Sequence, residues 1–196
     1  MREGFRLDPD RVAYFEAEGW RAYYDRRWLR LIRLTVRLNE EQFRIPAPTS
    51  WLAAYYVMRA SAAWVPEDHD ERAVRRYLER FYRIARRYAG LRFDPARAGE
   101  LELRYFDDHR RLAGREDKAA LLQTLTDLHA TLFGLSPDEA RESAEWRVYA
   151  AATVDLITSK TSTDPEGDWA RLEEYLRKCY RSIERHLTAR GEPVAR

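Results

Sequence analysis

Four segments of this sequence place a small polar residue directly before a proline: Asp8-Pro9-Asp10-Arg11, Asp94-Pro95-Ala96-Arg97, Ser136-Pro137-Asp138-Glu139 and Asp164-Pro165-Glu166-Gly167. Each segment is typical of a helix start, because the Asp or Ser side chain accepts a hydrogen bond from an unpaired backbone N–H and proline already has a helical φ angle. The acids that follow interact favourably with the positive end of the helix dipole. Half of the eight prolines lie in these segments, so the sequence predicts an all-α protein.

Between these starts, apolar residues recur at the spacing of an α-helix, and no stretch alternates steadily at the period of a β-strand. The pattern predicts a single-domain helical bundle of about seven helices that spans residues 1–196. The expected helices are Pro9 to Phe43, Thr49 to Trp64, a third from an Asp68 cap to Gly90, a fourth from the Asp94 cap to near Gly114, Glu116 to Phe133, Pro137 to Ser159 and Pro165 to Ala189. The second carries little charge and the sixth is apolar nearly all round over residues 148–154, so we expect these two helices to be the most buried and the second to be central.

Three features predict a soluble, cytoplasmic protein. The single cysteine, Cys179, cannot form an internal disulfide, which fits a reducing compartment. The N-terminus lacks the apolar segment of a signal peptide. The longest uncharged stretch, residues 45–58, has 14 residues and two prolines, which is too short to cross a bilayer. We therefore expect no membrane partner.

The charge balance argues against a polyanionic partner. The chain has 35 basic and 33 acidic residues, and 32 of the basic residues are arginines. One local basic ridge lies on the third expected helix, where acidic Glu79 interrupts it. Its members are Arg75, Arg76, Arg80, Arg83, Arg86 and Arg87. With a near-neutral total charge, this ridge indicates a solvated helix face with ion pairs, and we predict no nucleic-acid partner.

Four polar side chains fall on helix faces that are otherwise apolar: Glu102 and His109 on the fourth expected helix, His129 on the fifth and Asp155 on the sixth. If they converge, two imidazoles and two carboxylates could hold one zinc, iron or manganese ion with an open position for water. Against this, Glu102 and His109 are two helical turns apart, about 10 Å along the axis. The chain also lacks the Glu-x-x-His spacing of di-metal bundles.

A structural interpretation of the same residues is favoured, in which they form an internal network of ion pairs and hydrogen bonds. Glu16 and Arg27 on the first expected helix and Arg59 on the second also lie within apolar stripes. Burying an unpaired charge costs several kcal/mol, so each of these side chains is expected to have a partner. We expect at least one arginine among Arg27, Arg59 and Arg147 to pair with these interior groups. This interpretation requires no cofactor.

Scattered segments of the chain resemble an uncharacterised family of small bacterial all-helical proteins. The segments are Gly19-Trp20-Arg21-Ala22-Tyr23-Tyr24, Glu41-Gln42-Phe43, Phe93-Asp94-Pro95, Leu101-Glu102-Leu103-Arg104-Tyr105-Phe106 with His109-Arg110, and Asp168-Trp169. The resemblance implies that Trp20, Tyr23, Tyr24, Glu102 and His109 belong to one site. It implies no activity and no cofactor.

Two classes of function follow. The first is a ligand-binding or protein-interaction module, with an interior lined by aromatic and arginine side chains that takes an acidic or aromatic small molecule. The expected site consists of Trp20, Tyr23, Tyr24, Arg27, Arg59, Glu102, His109, His129 and Asp155. The alternative is a metal-dependent enzyme that uses Glu102, His109, His129 and Asp155 as ligands of a single divalent metal. The sequence contains no phosphate-binding loop, dinucleotide fingerprint or nucleophile motif.

Overall fold

The computed structural model describes residues 7–189, and this part of the chain is 80% helix with no strand. The prediction of an all-α protein is confirmed. The eight helices of the described part are α1 (Pro9–Tyr24), α2 (Trp28–Phe43), α3 (Thr49–Trp64), α4 (Glu71–Ala89), α5 (Pro95–Leu112), α6 (Ala119–Phe133), α7 (Pro137–Thr158) and α8 (Pro165–Ala189). Within residues 7–189, no helix is both long enough and apolar enough to cross a bilayer.

The first expected helix is in fact two helices, α1 and α2, which form a tight hairpin. The chain turns at Asp25-Arg26-Arg27, where Arg26 adopts a left-handed conformation with φ 58°. The backbone N–H of Arg27 donates to the carbonyl of Ala22 at 2.8 Å and so closes the turn. No glycine or proline marks this position. The ion pair between Arg11 and Glu41 at 2.5 Å, together with one between Glu18 and Arg30, joins the two helices in antiparallel order.

All four helix starts expected from the Asp-Pro and Ser-Pro segments are present. Asp8 accepts hydrogen bonds from the backbone N–H groups of Asp10 and Arg11, both at 3.1 Å. Ser136 and Glu139 cap each other reciprocally at the start of α7. Asp94 accepts from Ala96 N at 3.0 Å, and Asp164 accepts from Gly167 N at 3.0 Å. These caps fix where α1, α5, α7 and α8 begin.

The helices form a ring in chain order. Each helix packs against the next one along the chain, and α8 packs against α1 to close the ring. The main hydrophobic core contains buried side chains from every helix, among them Val12, Phe43, Ala53, Phe81, Leu101, Leu121, Ala150 and Leu172. A ring of this kind surrounds a central axis, and the residues that face this axis become the candidates for a binding site.

The expectation that the Thr49–Trp64 helix is central was wrong. Trp51, Leu52 and Tyr55 of α3 are exposed. The four buried residues of α3 are all small: Ser50, Ala53, Ala54 and Ala60. The fully buried side of the helix consists of small residues, and Trp51, Leu52 and Tyr55 point outward, while Val57, Met58 and Trp64 are partly buried and line the cavity. A low content of charge therefore did not distinguish a buried helix from one with an apolar outer face.

The basic ridge of α4 faces outward. All six arginines of the ridge are exposed. Arg75 pairs with Glu71 and Arg83 pairs with Glu79, each one helical turn away. These are the ion pairs expected for a solvated helix face.

The cap of α4 gives a test of the helix boundaries. Asp70, rather than the expected Asp68, accepts hydrogen bonds from the N–H groups of Arg72 and Ala73, at 2.9 and 3.2 Å. We expect Asp70→Ala to lower the free energy of unfolding by about 1 kcal/mol, because two N–H groups lose their acceptor. Asp68→Ala is the matched control and should change it by less than about 0.5 kcal/mol. Urea denaturation measures both, and a larger effect at Asp68 would contradict this boundary.

Candidate functional site

The ring of helices encloses a cavity of about 500 Å³ that is lined by side chains from all eight helices. Most of its lining is aromatic or aliphatic, including Phe15, Leu31, Phe43, Phe106 and Leu128. Cavities that bind small molecules have volumes of about 300–1,000 Å³ and a mainly apolar lining with a few polar groups. This cavity has both properties.

The cavity opens beside the α1–α2 turn. Tyr23, Tyr24 and Trp28 line it there and are also exposed, Trp28 to 50%. Tyr23 makes edge contacts with both neighbours, with ring centroids 5.2 Å from Tyr24 and 6.0 Å from Trp28. Exposed Ala62 and Val65, at the end of α3, also line this opening. The mouth of the cavity, as we call the opening formed by these five residues, is therefore mostly aromatic.

A buried ion pair lies inside the cavity. The guanidinium of Arg147 on α7 is 2.6 Å from the carboxylate of Glu16 on α1, and the two side chains are only 13% and 7% exposed. Tyr180 on α8 accepts a hydrogen bond from Arg147 at 3.3 Å and donates its own hydroxyl hydrogen to Glu16. Burial alone would lower the pKa of Arg147, but Glu16 and nearby phenols outweigh it and raise the pKa well above its ordinary value. Arg147 is therefore a permanent cation.

Two aromatic rings make cation–π contacts with the guanidinium of Arg147. The guanidinium carbon is 5.3 Å from the ring centre of Trp20 and 5.6 Å from that of Tyr105. Cation–π contacts of this kind stabilise a desolvated cation by about 2 kcal/mol. Trp20 and Tyr105 thus line the cavity in fixed positions around the ion pair.

Glu102 is a second carboxylate beside this ion pair. Its Oε2 accepts a hydrogen bond from the hydroxyl of Tyr82 on α4 at 2.9 Å. Burial raises the pKa of Glu102 above its ordinary value. The charge of Arg147 and the hydrogen bond from Tyr82 oppose this increase, whereas the charge of Glu16 adds to it. Of the interior carboxylates expected from the sequence, Glu16 is the one that pairs directly with an arginine, Arg147.

His129 lines the cavity as a neutral imidazole. Its Nδ1 is 2.8 Å from the hydroxyl of Ser143, and that hydroxyl donates its single hydrogen to the carbonyl of Ala140 at 2.7 Å. Nδ1 must therefore carry a hydrogen and donate it to Ser143. Burial, and secondarily the charge of Arg147, lowers the pKa of His129 from 6.5 to about 3. Its charge is absent at neutral pH.

A second polar cluster lies next to the mouth. His109 Nε2 is 3.0 Å from one oxygen of Asp155, and Lys118 Nζ is 3.2 Å from the other. Burial alone would raise the pKa of Asp155, but its hydrogen bonds and charge contacts with His109 and Lys118 hold the pKa below its usual range. Burial, with smaller contributions from Tyr23 and Asp155, raises the pKa of Tyr24 to about 12. Tyr24 is therefore an un-ionised phenol at the mouth.

The four expected metal ligands do not gather at one point. Only His109 and Asp155 meet, while Glu102 bonds to Tyr82 and His129 bonds to Ser143. Within residues 7–189 no group of three or more His, Cys, Asp or Glu side chains is placed to hold a metal. Glu102, His109 and His129 do line the cavity, as their helix faces predicted, but Asp155 does not, and the distances between the helices keep the four apart.

The expected roles of Arg27 and Arg59 were also wrong. The Arg27 side chain is 61% exposed and faces Asp25 at 3.6 Å. Arg59 is exposed and donates to the hydroxyl of Tyr77 at 3.2 Å. The interior arginine is Arg147. Of the remaining site residues expected from the sequence, Trp20, Tyr23, Tyr24, Glu102, His109 and His129 line the cavity, and Asp155 is bonded to His109.

Two buried donors in the cavity have no partner. The side-chain Nδ2 of Asn39 and the Nε of Arg147 make no hydrogen bond to any described residue. Asn39 is only 2% exposed and lines the cavity. Sequence reasoning missed Asn39, although a lone asparagine within the apolar face of α2 was a detectable signal.

The importance of the interior ion pair can be tested by deleting its cation. We expect Arg147→Met to lower the free energy of unfolding by about 3–5 kcal/mol, because Glu16 would remain buried without a counter-ion. Arg27→Met is the matched control at an exposed arginine and should change it by less than about 0.5 kcal/mol. Chemical denaturation measures both. Similar small losses in the two variants would show that Glu16 is hydrated rather than paired.

The buried neutral state of His129 predicts a pH effect. Below about pH 6.5 the unfolded chain takes up a proton at this residue and the folded chain does not until about pH 3. Stability should therefore fall with acidification, by up to about 1.4 kcal/mol per pH unit from this residue alone. In His129→Asn, whose side-chain NH₂ still reaches Ser143, this slope should be absent. Parallel stability curves for the two proteins would contradict the prediction.

Comparisons of the chain with protein-family models, with curated proteins and with solved structures found no match. The geometry of the cavity is therefore the basis for assigning a function to this protein.

Proposed function

We propose that this protein binds a small molecule in its central cavity, and that the ligand has an apolar body with at least one hydrogen-bond acceptor. The observation that carries the proposal is the cavity of about 500 Å³, which is lined by buried Asn39, whose Nδ2 makes no hydrogen bond to a described residue. The closed ring of helices, whose core draws on all eight, supports a single domain built around this cavity.

The donor of Asn39 indicates what the ligand supplies. A buried amide hydrogen without an acceptor costs about 1–3 kcal/mol. Asn39 lies eleven residues after Trp28 on α2, roughly 16 Å from the mouth along the helix axis. An acceptor oxygen on a bound molecule would satisfy this donor at the inner part of the cavity. The unpaired Nε of Arg147 would take a second acceptor.

Gly19 provides independent support because it leaves space at the cavity wall. Glycine inside a helix costs about 1 kcal/mol relative to alanine. A Cβ added to Gly19 would meet no atom within 4 Å, whereas one added to Gly99 would lie 3.2 Å from the backbone N of Glu79. Helix packing explains Gly99 but not Gly19. Gly19 lines the cavity, so the space that a larger side chain would fill is available to a ligand.

The mouth suits the entry of an apolar molecule. Tyr23, Tyr24 and Trp28 present aromatic surface to solvent at the opening. Aromatic side chains exposed in this way lose little conformational entropy when they contact a ligand. Binding would cover part of this surface, which adds the hydrophobic contribution of about 25 cal/mol per Å² of apolar area.

Substitutions at Gly19 test the proposal. We expect Gly19→Phe to fill the cavity without a clash in the helix, so that the protein folds normally but loses binding. Isothermal titration with a graded series of aryl alcohols, from benzyl alcohol through tryptophol to naphthylethanol, should show binding to the wild type in the micromolar-to-millimolar range of small ligands.

Gly19→Ala is the matched control for this test. It should retain binding and gain about 0.5–1 kcal/mol of stability from its better helix propensity. Equal binding by Gly19→Phe and the wild type would place the alcohols outside the cavity. A wild type that binds no member of the series would contradict the proposed function.

A further inference from the structure

The charges that line the cavity are unequal. Its charged side chains are two carboxylates, Glu16 and Glu102, and one guanidinium, Arg147. Arg147 is already bonded to Glu16 at 2.6 Å. No described cation lies within ion-pair distance of Glu102, whose hydrogen-bond partner is the neutral hydroxyl of Tyr82. Glu102 thus has no direct ion-pair partner, and the charge of Arg147 acts on it only from beyond ion-pair distance.

The remaining ionisable groups at the cavity do not supply this counter-ion. His129 is neutral at physiological pH and bonds to Ser143. His109 shares the carboxylate of Asp155 with Lys118, two helical turns along α5 from Glu102. An anionic ligand in the cavity would meet two carboxylates and a guanidinium that is already paired. A cationic ligand would meet an unpaired carboxylate in surroundings of low dielectric constant, where charge interactions are strong.

Aromatic rings near Glu102 are also available to a cation. Phe106 lies one helical turn after Glu102 on α5, so the two side chains share a face. Tyr82 bonds to Glu102 and lines the cavity, and Phe81 is next to it with a ring-centroid distance of 5.0 Å. No described Lys or Arg side chain lies over these three rings. Rings of this kind attract an ammonium group through their electron-rich faces.

We propose that the ligand of this cavity carries an ammonium group, which donates a hydrogen bond to the carboxylate of Glu102, while its apolar body contacts the surrounding rings. This inference rests on the proposed function and names its ligand class, an aryl or alkyl amine. From the sequence we expected an acidic or aromatic small molecule in an interior lined by aromatic and arginine side chains; this inference keeps the aromatic body and replaces the acidic group with a basic one. The acceptor that Asn39 requires would then be a second polar group of the amine.

The pairing also predicts how amine binding depends on pH. Burial raises the pKa of Glu102, and an ammonium ligand stabilises the ionised carboxylate. Amine affinity should therefore decrease as acidification protonates Glu102. The titratable and charged groups around Glu102 are Glu16 on α1, Tyr82 on α4, Tyr105 on α5, His129 on α6, Arg147 on α7 and Tyr180 on α8. These groups surround either ligand equally, so the neutral ligand described below corrects for their contribution.

Three indole probes of similar size, which differ in charge, test the inference: tryptamine as the ammonium, tryptophol as the neutral alcohol and indolepropionate as the carboxylate. With wild-type protein near neutral pH, we expect tryptamine to bind at least about tenfold more tightly than tryptophol. A hydrogen bond between charged groups is strong enough to account for a difference of this size. Indolepropionate should bind most weakly. Acidification should weaken tryptamine binding and leave tryptophol binding nearly unchanged.

Glu102→Gln should remove the preference for tryptamine while tryptophol still binds. Glu100→Gln is the matched control, because Glu100 lies on the same helix but is exposed and pairs with Arg97 at 3.0 Å. It should retain the preference. If Glu102→Gln fails to fold, the selectivity and pH dependence of the wild type still decide the question.

The outcomes separate the two proposals. Equal binding of tryptamine and tryptophol, or tighter binding of indolepropionate, would overturn the ammonium inference and leave the cavity as a binding site. A preference for tryptamine that persists in Glu102→Gln would overturn the role of Glu102. Failure of all three probes to bind would overturn the proposed function and this inference together.

Discussion

The ion pair between Arg147 and Glu16 is the interaction on which the interior of this protein depends. It joins α7 to α1, and the hydroxyl of Tyr180 extends it to α8. Neighbouring helices in the ring are already joined by short turns, but α1 and α8 are far apart in the chain. The pair and Tyr180 therefore act where the ring closes. Trp20 on α1 and Tyr105 on α5 pack against the same guanidinium. One cation therefore contacts cavity-lining side chains from α1, α5 and α8.

A ring of helices around a cavity gives up packing at its centre and must be stabilised elsewhere. The largest fully buried side chains include Leu121, Leu125, Leu172, Leu176 and Ile183, on α6 and α8. The centre retains polar groups that satisfy one another in part, and partly satisfied networks are costly in a medium of low dielectric constant. The Arg147→Met and Gly19→Phe substitutions test these two aspects separately: the first disturbs the network, and the second fills the space.

The sequence predicted the helices better than it predicted their arrangement. Capping residues such as Asp8 and Ser136 act on their own first turns, so local sequence is sufficient to locate them. The α1–α2 turn was missed because Arg26 adopts a left-handed conformation that usually requires glycine or asparagine. Neither residue stands there. The misplaced α3 had a different cause, since an exposed apolar face and a buried one have the same composition.

The candidate site was predicted in part for the same reason. Helix faces correctly placed Trp20, Glu102, His109 and His129 toward the interior, because the rotation of a side chain about its helix axis follows from sequence. Which residues meet depends on the offset between helices, and this is a tertiary property. Arg27 illustrates the limit: it lies on the apolar stripe of a continuous helix, but the turn at Arg26 moves it to the surface.

The unequal charges of the cavity connect its stability to its function. A protein interior selected for stability alone would replace Glu102 with an apolar residue, since a buried carboxylate without a counter-ion is destabilising. Arg147 pairs directly with Glu16 at 2.6 Å and acts on Glu102 only through its charge at a greater distance. The unpaired N–H of Asn39 is a second cost at the same site. One bound molecule with an ammonium group and an acceptor oxygen would satisfy both groups, so the same polar side chains that destabilise the interior would contribute to the free energy of binding.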